Sequence, residues 1–154
     1  MKVELRTIDD ANSAAVEALE VSDLQKQYIA SNKKSLETAA SEEYKDIARP
    51  FAIYAGSKLV GFTMFAFELT SPDPNDRYWL WRFMIDQNFQ GQGYGTAALE
   101  AVIDYFKSHG AGHILLSTKE TNVAALSLYH KYHFTETGEM NDGEIILRLN
   151  LQVM

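Results

Sequence analysis

Asn88-Phe-Gln-Gly-Gln-Gly-Tyr-Gly-Thr-Ala-Ala98 places glycines at 91, 93 and 95, directly after the aromatic and apolar run Tyr78-Trp-Leu-Trp-Arg-Phe-Met-Ile85. A strand that ends in alternating glycines and feeds a helix allows two readings. Without Cβ atoms the backbone can take positive φ and approach a ligand closely. Successive N–H groups and the helix N-terminus then converge on an anion, pyrophosphate being the natural guest. The same pattern also serves as a packed strand-to-helix turn with no ligand. Gly93-x-Gly95-x-x-Ala98 fits the loose dinucleotide fingerprint, but that fingerprint belongs on the first strand of a parallel βαβ unit. Here antiparallel hairpins precede it. No Gly-x-x-x-x-Gly-Lys-Ser/Thr phosphate loop occurs in the chain.

Working outward, Tyr78 to Asp86 reads as a long strand whose near-continuous apolar character predicts burial on both faces. Upstream, Phe51 to Ala55 and Lys58 to Glu68 form two strands joined by the Gly56-Ser57 turn. Thr70 to Arg77 is a loop. Nearer the N-terminus, Val3 to Thr7 alternates as a strand. Asp9 or Asp10 is placed to cap a helix running to about Glu20. A second helical region, Asp23 to Tyr44, carries Leu24, Tyr28, Ile29, Leu36 and Ala40, with a break near Ser31-Asn32 and an end at Pro50. Downstream of the glycines, Ala98, Leu99, Val102, Ile103 and Phe106 recur at helical spacing up to His109-Gly110. A short buried strand, Ile114 to Thr118, follows. Asn122 then stands as the N-cap of a helix through about Tyr132, and Gly143 to Val153 forms a final strand after the Met140-Asn-Asp-Gly143 turn. The order predicts an α+β fold, a mostly antiparallel sheet with one parallel crossover in the middle.

The 154 residues fit a single domain spanning 1–154. The apolar fraction of 46% and charged fraction of 23% are those of a globular protein. With no cysteine there is no disulfide framework, no zinc-thiolate site and no cysteine nucleophile, so any acyl transfer is direct or uses a different nucleophile. The charged N-terminus lacks the apolar core of a signal peptide. The longest apolar stretch, Leu59 to Phe67, is about half of what spans a bilayer. A soluble cytoplasmic protein with no membrane partner is expected. A net charge of −7 disfavours nucleic acid and draws in cationic small molecules. The four histidines show no metal-ligand spacing and no Gly-x-Ser-x-Gly elbow is present, so no metal is expected.

Asn122 and Tyr129 lie seven residues apart, on one face of the same predicted helix, with the small Ala125 between them. Tyr129 alone would more often read as a tyrosine at the edge of the core. Together with the glycine turn and the order of elements, the pair resembles the GNAT superfamily of N-acetyltransferases. Gln90-Gly-Gln-Gly-Tyr-Gly95 is similar to that family's Arg/Gln-x-x-Gly-x-Gly/Ala motif for acetyl-CoA. Asn122-Val-Ala-Ala-Leu-Ser-Leu-Tyr129-His-Lys-Tyr-His-Phe134 is similar to its Asn-x-x-Ala-x-x-Leu-Tyr-x-x-x-Gly-Phe segment. Val21 to Ile29, Asn32 to Leu36 and Trp79 to Asp86 resemble the early helices and central strand of bacterial spermine/spermidine acetyltransferase-like members.

The resemblance implies a central sheet with a splayed strand pair and an acetyl-CoA-dependent enzyme that acetylates a small primary amine directly, polyamines such as spermine or spermidine included. Acetylation of a protein or peptide amine or of an antibiotic, and a non-catalytic coenzyme A-binding module, stay open as alternatives. It also implies a homodimer. Residue by residue, Gln90, Gly91, Gln92, Gly93, Tyr94, Gly95 and Thr96 would cradle the pyrophosphate. Phe83, Met84 and Ile85 would offer strand-edge backbone to the pantetheine arm. Asn122 would hydrogen-bond that arm with Ala125 packed beside it, and Tyr129 would protonate the departing thiolate.

The acceptor is the harder part of the reaction. With an amine pKa near 10.4, only about one molecule in 2,500 is neutral at pH 7, a penalty of roughly 4.6 kcal/mol, so a base is wanted. Trp81 stands where several polyamine acetyltransferases have an acidic residue; an indole accepts no proton, though it could stack on a cation. Glu68 and Glu120 are the candidate carboxylates, and Trp81 and Glu68 the candidate substrate contacts. Glu20, Asp23, Glu37, Asp73 and Asp76 could join Glu68 in lining a polyamine groove. His133 replaces the family's helix-ending glycine before Phe134, which demands a left-handed residue or a different ending.

Overall fold

In the computed structural model, which describes residues 2–151, the sheet grows from one hairpin. β2 (Ala48–Ala55) and β3 (Lys58–Phe67) are joined at Gly56-Ser57, with Ala55 opposite Lys58. β1 (Glu4–Thr7) adds antiparallel to β2, and β4 (Tyr78–Ile85) antiparallel to β3. A crossover through α3 (Tyr94–Ser108) then lays β5 (His113–Thr118) parallel to β4. After α4 (Val123–Lys131), the hairpin of β6 (Thr135–Asn141) and β7 (Glu144–Asn150) returns, and β7 pairs antiparallel with β5. The seven strands run in the order β1-β2-β3-β4-β5-β7-β6. This is the expected α+β sheet with its parallel crossover.

Helices cover both faces. The face under α3 and α4 buries Phe65, Phe67, Leu99, Val102, Phe106 and Phe134. The opposite face, under α1 (Ser13–Ala18) and α2 (Asn32–Ala40), buries Val16, Val21, Phe62, Met64 and Met84. β3 is buried almost end to end because it lies inside both layers.

Several elements differ from the sequence reading. The first helix is only six residues long. Asp9 accepts from the Ala11 N–H and Asn12 accepts from the Asp9 N–H, which holds residues 9–12 in a turn. At its other end, Glu20 exchanges hydrogen bonds with the end of β4 instead of continuing the helix: its N–H donates to Asp86 Oδ1 and its carbonyl accepts from the Gln87 N–H. The second helical region contracts to a 3-10 turn at Gln25–Gln27 and α2, broken at Ser31, whose hydroxyl caps the Lys34 N–H. Leu24, expected on an apolar face, is 80% exposed.

Pro50 lies inside β2 and does not precede it. β1 pairs only as far as Phe51, so β2 has no neighbour on that side at Pro50 and loses no shared ladder there. β4 is buried only at Leu80, Met84 and Ile85; its other residues are half-exposed because the strand borders a cleft. Asn122 occupies the N-cap position of α4 without capping it through its side chain. The last strand ends at Asn150, short of Leu151; the rest of the run expected to reach Val153 lies outside the described residues.

Candidate active site

β4 and β5 meet at a single pair, Trp79 opposite Leu115, and diverge beyond it. Their separation opens a cleft of about 760 Å³, bordered by Trp79–Ile85 of β4, Leu116–Thr118 of β5, one side of α4 and the segment Gln27–Ala30. β4 also carries a β-bulge. Met64 pairs with Arg82 and Phe65 with Leu80, so Trp81 is the extra residue. Phe83, Met84 and Ile85 line the cleft, as a strand edge freed by the splay should.

The glycine turn closes one end. After a 3-10 turn at Gln87–Phe89, Gly91 (φ 75°) and Gly93 (φ 90°) take conformations that side chains disfavour, and Gly93 is the N-cap of α3. The Ala97 N–H is the first of the helix to reach a carbonyl, that of Gly93 at 3.1 Å. The N–H groups of Tyr94, Gly95 and Thr96, at the positive end of a fifteen-residue helix, have no acceptor among the described residues. A Cβ on Gly95 would meet only Ile85 and Leu128, at 3.9 and 4.0 Å, so protein packing alone does not demand glycine there. Gln90, Gly91 and Gly95 line the cleft; Gln92, Gly93, Tyr94 and Thr96 build the turn without lining it.

Two side chains fix this turn. Gln90 Nε2 donates to the Ile85 carbonyl and to Gln25 Oε1, both at 2.9 Å. Asp86, buried, accepts from the N–H groups of Glu20 and Asn88. No motif in the sequence marks Asp86 for this role. An acidic residue ending an apolar strand immediately before a turn is the signal that could have found it.

On the opposite wall, Asn122 Nδ2 donates to Thr118 Oγ1 at 3.2 Å and ties the end of β5 to the start of α4. Ala125, Leu128 and Tyr129 follow it along the cleft. Tyr129 is 8% exposed, and burial pushes its phenol above the ordinary tyrosine range. A phenol so placed stays protonated and can donate. Tyr28 Oη donates to Thr121 Oγ1 at 3.1 Å, joining the two lips above.

The acceptor-side expectations fare differently. Trp81 lines the cleft, yet the Arg82 guanidinium lies over its ring at 4.9 Å and Tyr44 packs against it at 4.9 Å, so the chain itself supplies its cation. Glu68 and Glu120 do not line the cleft, nor do Glu20, Asp23, Glu37, Asp73 or Asp76. Glu68 sits at the far end of β3, where its N–H bonds the Arg77 carbonyl. Burial, with Asp76 nearby, raises its carboxyl. The carboxylates that do line the cleft are Asp142 and Glu144, from the β6–β7 hairpin. The register of β7 against β5 brings them there, and nothing local in the sequence announces that pairing. Among the described residues no group of three or more His, Asp or Glu side chains gathers to hold a metal, and no helix is long and apolar enough to cross a membrane.

Residues 8–134 match the Acetyltransferase (GNAT) family. The chain is 35% identical over 151 residues to the spermine/spermidine N(1)-acetyltransferase of Bacillus subtilis (strain 168), covering 96% of this chain and 97% of that one. Its fold resembles an acetyltransferase from Salmonella typhimurium that modifies the N-terminal serine of ribosomal protein L7/L12, with TM-score 0.71, 18% identity and coverage of 99% and 96%. It also resembles the PaiA N-acetyltransferase of Thermoplasma acidophilum, solved in complex with coenzyme A, with TM-score 0.67, 16% identity and coverage of 98% and 100%.

Proposed function

This chain belongs to the Acetyltransferase (GNAT) family and is an N-acetyltransferase; from that premise we propose that it transfers an acetyl group from acetyl-CoA directly to a small aliphatic primary amine, of the spermine and spermidine class. The observation that carries the reading is the convergence on one cleft of Gly91 and Gly95 of the turn at the head of α3, the unpaired edge of β4, Asn122 and the buried phenol of Tyr129. The glycine turn would hold the pyrophosphate through backbone N–H groups and the helix N-terminus. The edge of Phe83–Ile85 and the free oxygen of Asn122 would guide the pantetheine arm towards the bulge at Trp81. Tyr129 would give its proton to the thiolate as the C–S bond breaks, a step worth about 10²-fold or more in rate.

Support for the acceptor class comes from the relative's identity over nearly the whole chain and from the acidic residues in the cleft. The whole chain works as one domain in this reading. The test is thiol release from acetyl-CoA across a panel of spermine, spermidine, monoamines, aminoglycosides and N-terminal peptides, beside thermal melting with millimolar acetyl-CoA. The polyamines should be turned over and the melting temperature should rise. Preference for the peptides would move the acceptor to a protein α-amine, and an unmoved melting temperature would remove the cofactor.

A further inference from the structure

Within the proposed reaction the acceptor arrives as an ammonium, and the bulged position of β4 offers it an indole and no base. The two carboxylates of the cleft wall differ in how they are held. Asp142 is an exposed turn residue. Glu144 opens β7, half-buried and fixed from two directions. The β6–β7 turn has only Asp142 and Gly143 between paired Asn141 and Glu144, both at positive φ (49° and 81°), which is the tight turn matched to strand twist. Across the neighbouring strand, the Ser117 hydroxyl of β5 donates to Glu144 Oε1 at 2.8 Å. Only one carboxylate oxygen is engaged in this way. Among the described residues Glu144 has no salt-bridge partner. Arg82 of β4 lies within its field, but directs its hydrogen bonds to Ser35 Oγ and to the Trp81 carbonyl.

A half-buried carboxylate held in one orientation at the cleft wall, with no cation in contact and one oxygen left over, is placed to accept a charged donor from a ligand. We propose that Glu144 is that carboxylate for the acceptor: it binds the ammonium and takes its first proton, directly or through one water, with Ser117 positioning it. This rests on the acetyltransferase reading of the cleft. The bonds balance as follows. One N–H proton passes to Glu144 and on to solvent. The freed lone pair forms the N–C bond to the thioester carbonyl. As C–S breaks, Tyr129 protonates the sulfur and recovers the second amine proton. Amide, free thiol and one released proton result.

The test compares wild type, Glu144→Gln, Glu144→Asp and Ser117→Ala with spermidine as acceptor. Glu144→Gln should lower kcat/KM for spermidine about 100-fold at pH 7. That deficit should shrink below about tenfold near pH 10, where roughly a quarter of the amine is neutral without help. The KM for acetyl-CoA and the melting shift it causes should be unchanged. Glu144→Asp should recover part of the loss, and Ser117→Ala should show a smaller deficit with the same pH dependence. An active wild type with Glu144→Gln within threefold of it at every pH overturns the assignment. So does a deficit that stays constant with pH and follows a lowered melting temperature. A wild type inactive on every amine overturns instead the acetyltransferase reading on which the assignment rests.

Discussion

At Tyr129, burial and the proposed role pull in the same direction. The desolvation that raises its pKa keeps the proton on the phenol through the whole range where an amine acetyltransferase works. Tyr129→Phe keeps the packing against Phe134 and removes only the donor. It should lower kcat by about 10²-fold with the melting temperature nearly unchanged, as steady-state kinetics beside thermal melting would show; unchanged turnover across pH would remove the acid. His133 poses a stability question instead. It adopts φ 73° in a full left-handed ending of α4, where the His133 N–H reaches the His130 carbonyl and the Phe134 N–H reaches the Tyr129 carbonyl, both at 3.0 Å. The family's glycine geometry is thus kept with a residue that resists it. His133→Gly should stabilise the fold by about 1 kcal/mol, a rise of roughly 2–4 °C in melting temperature. The departure was readable in the sequence, but which of the two endings the chain chooses required the backbone.

Between elements, the critical distance lies at Gly61. A Cβ there would sit 2.4 Å from the Met84 carbonyl oxygen and 3.2 Å from Ile53 Cδ1, so β3 and β4 approach as only glycine allows. Gly61→Ala should cost more than about 2 kcal/mol in denaturant unfolding and, by pushing on Met84, weaken acetyl-CoA binding in the variant that still folds. His113 tests the join of β4, β5 and β7. It is buried edge-on to Tyr78, its Nε2 has no hydrogen-bond partner among the described residues, and burial lowers its pKa with help from Arg148, against Asp76 and Asp73. A depressed folded-state pKa means that the unfolded chain binds a proton the fold refuses. Stability is therefore full above about pH 6.5 and falls as the pH drops through the unfolded value. His113→Phe should flatten the loss of melting temperature between pH 7.5 and 5.5. These positions show where the sequence stops informing. Strands and helices with strong periodicity, β3 and α3 above all, were legible, as were the place of the glycine turn at the head of α3 and of Asn122 and Tyr129 along α4. The short helices were not, because side-chain turns at Asp9 and Asn12 and the Asp86 clamp on Glu20 override propensity there. Glu144 was illegible because its place in the site comes from the pairing of β7 with β5, a contact with no local signature.

Charge acts on the whole molecule, and it acts oppositely on the two proposed substrates. The chain carries 21 acidic against 14 basic residues, a net −7. Among the described residues that line the cleft, Arg82 is the lone base, beside the carboxylates of Asp142 and Glu144. In the proposed reading the glycine turn would meet phosphates through N–H groups, which attract only at short range, while the surface repels an approaching polyanion. A polycationic amine is drawn in by the same field. Salt shortens the reach of that field from about 10 Å at 0.1 M to about 3 Å at 1 M, so raising it should remove attraction for one substrate and repulsion for the other. Between 50 and 500 mM potassium chloride, kcat/KM for spermidine should fall several-fold, that for a monoamine less than about twofold, and the KM for acetyl-CoA should hold steady or decrease. Initial-rate measurements at each salt concentration decide it. If both substrates weaken in parallel, charged side chains bind the coenzyme phosphates, and recognition by the backbone at Gly91–Gly95 is wrong.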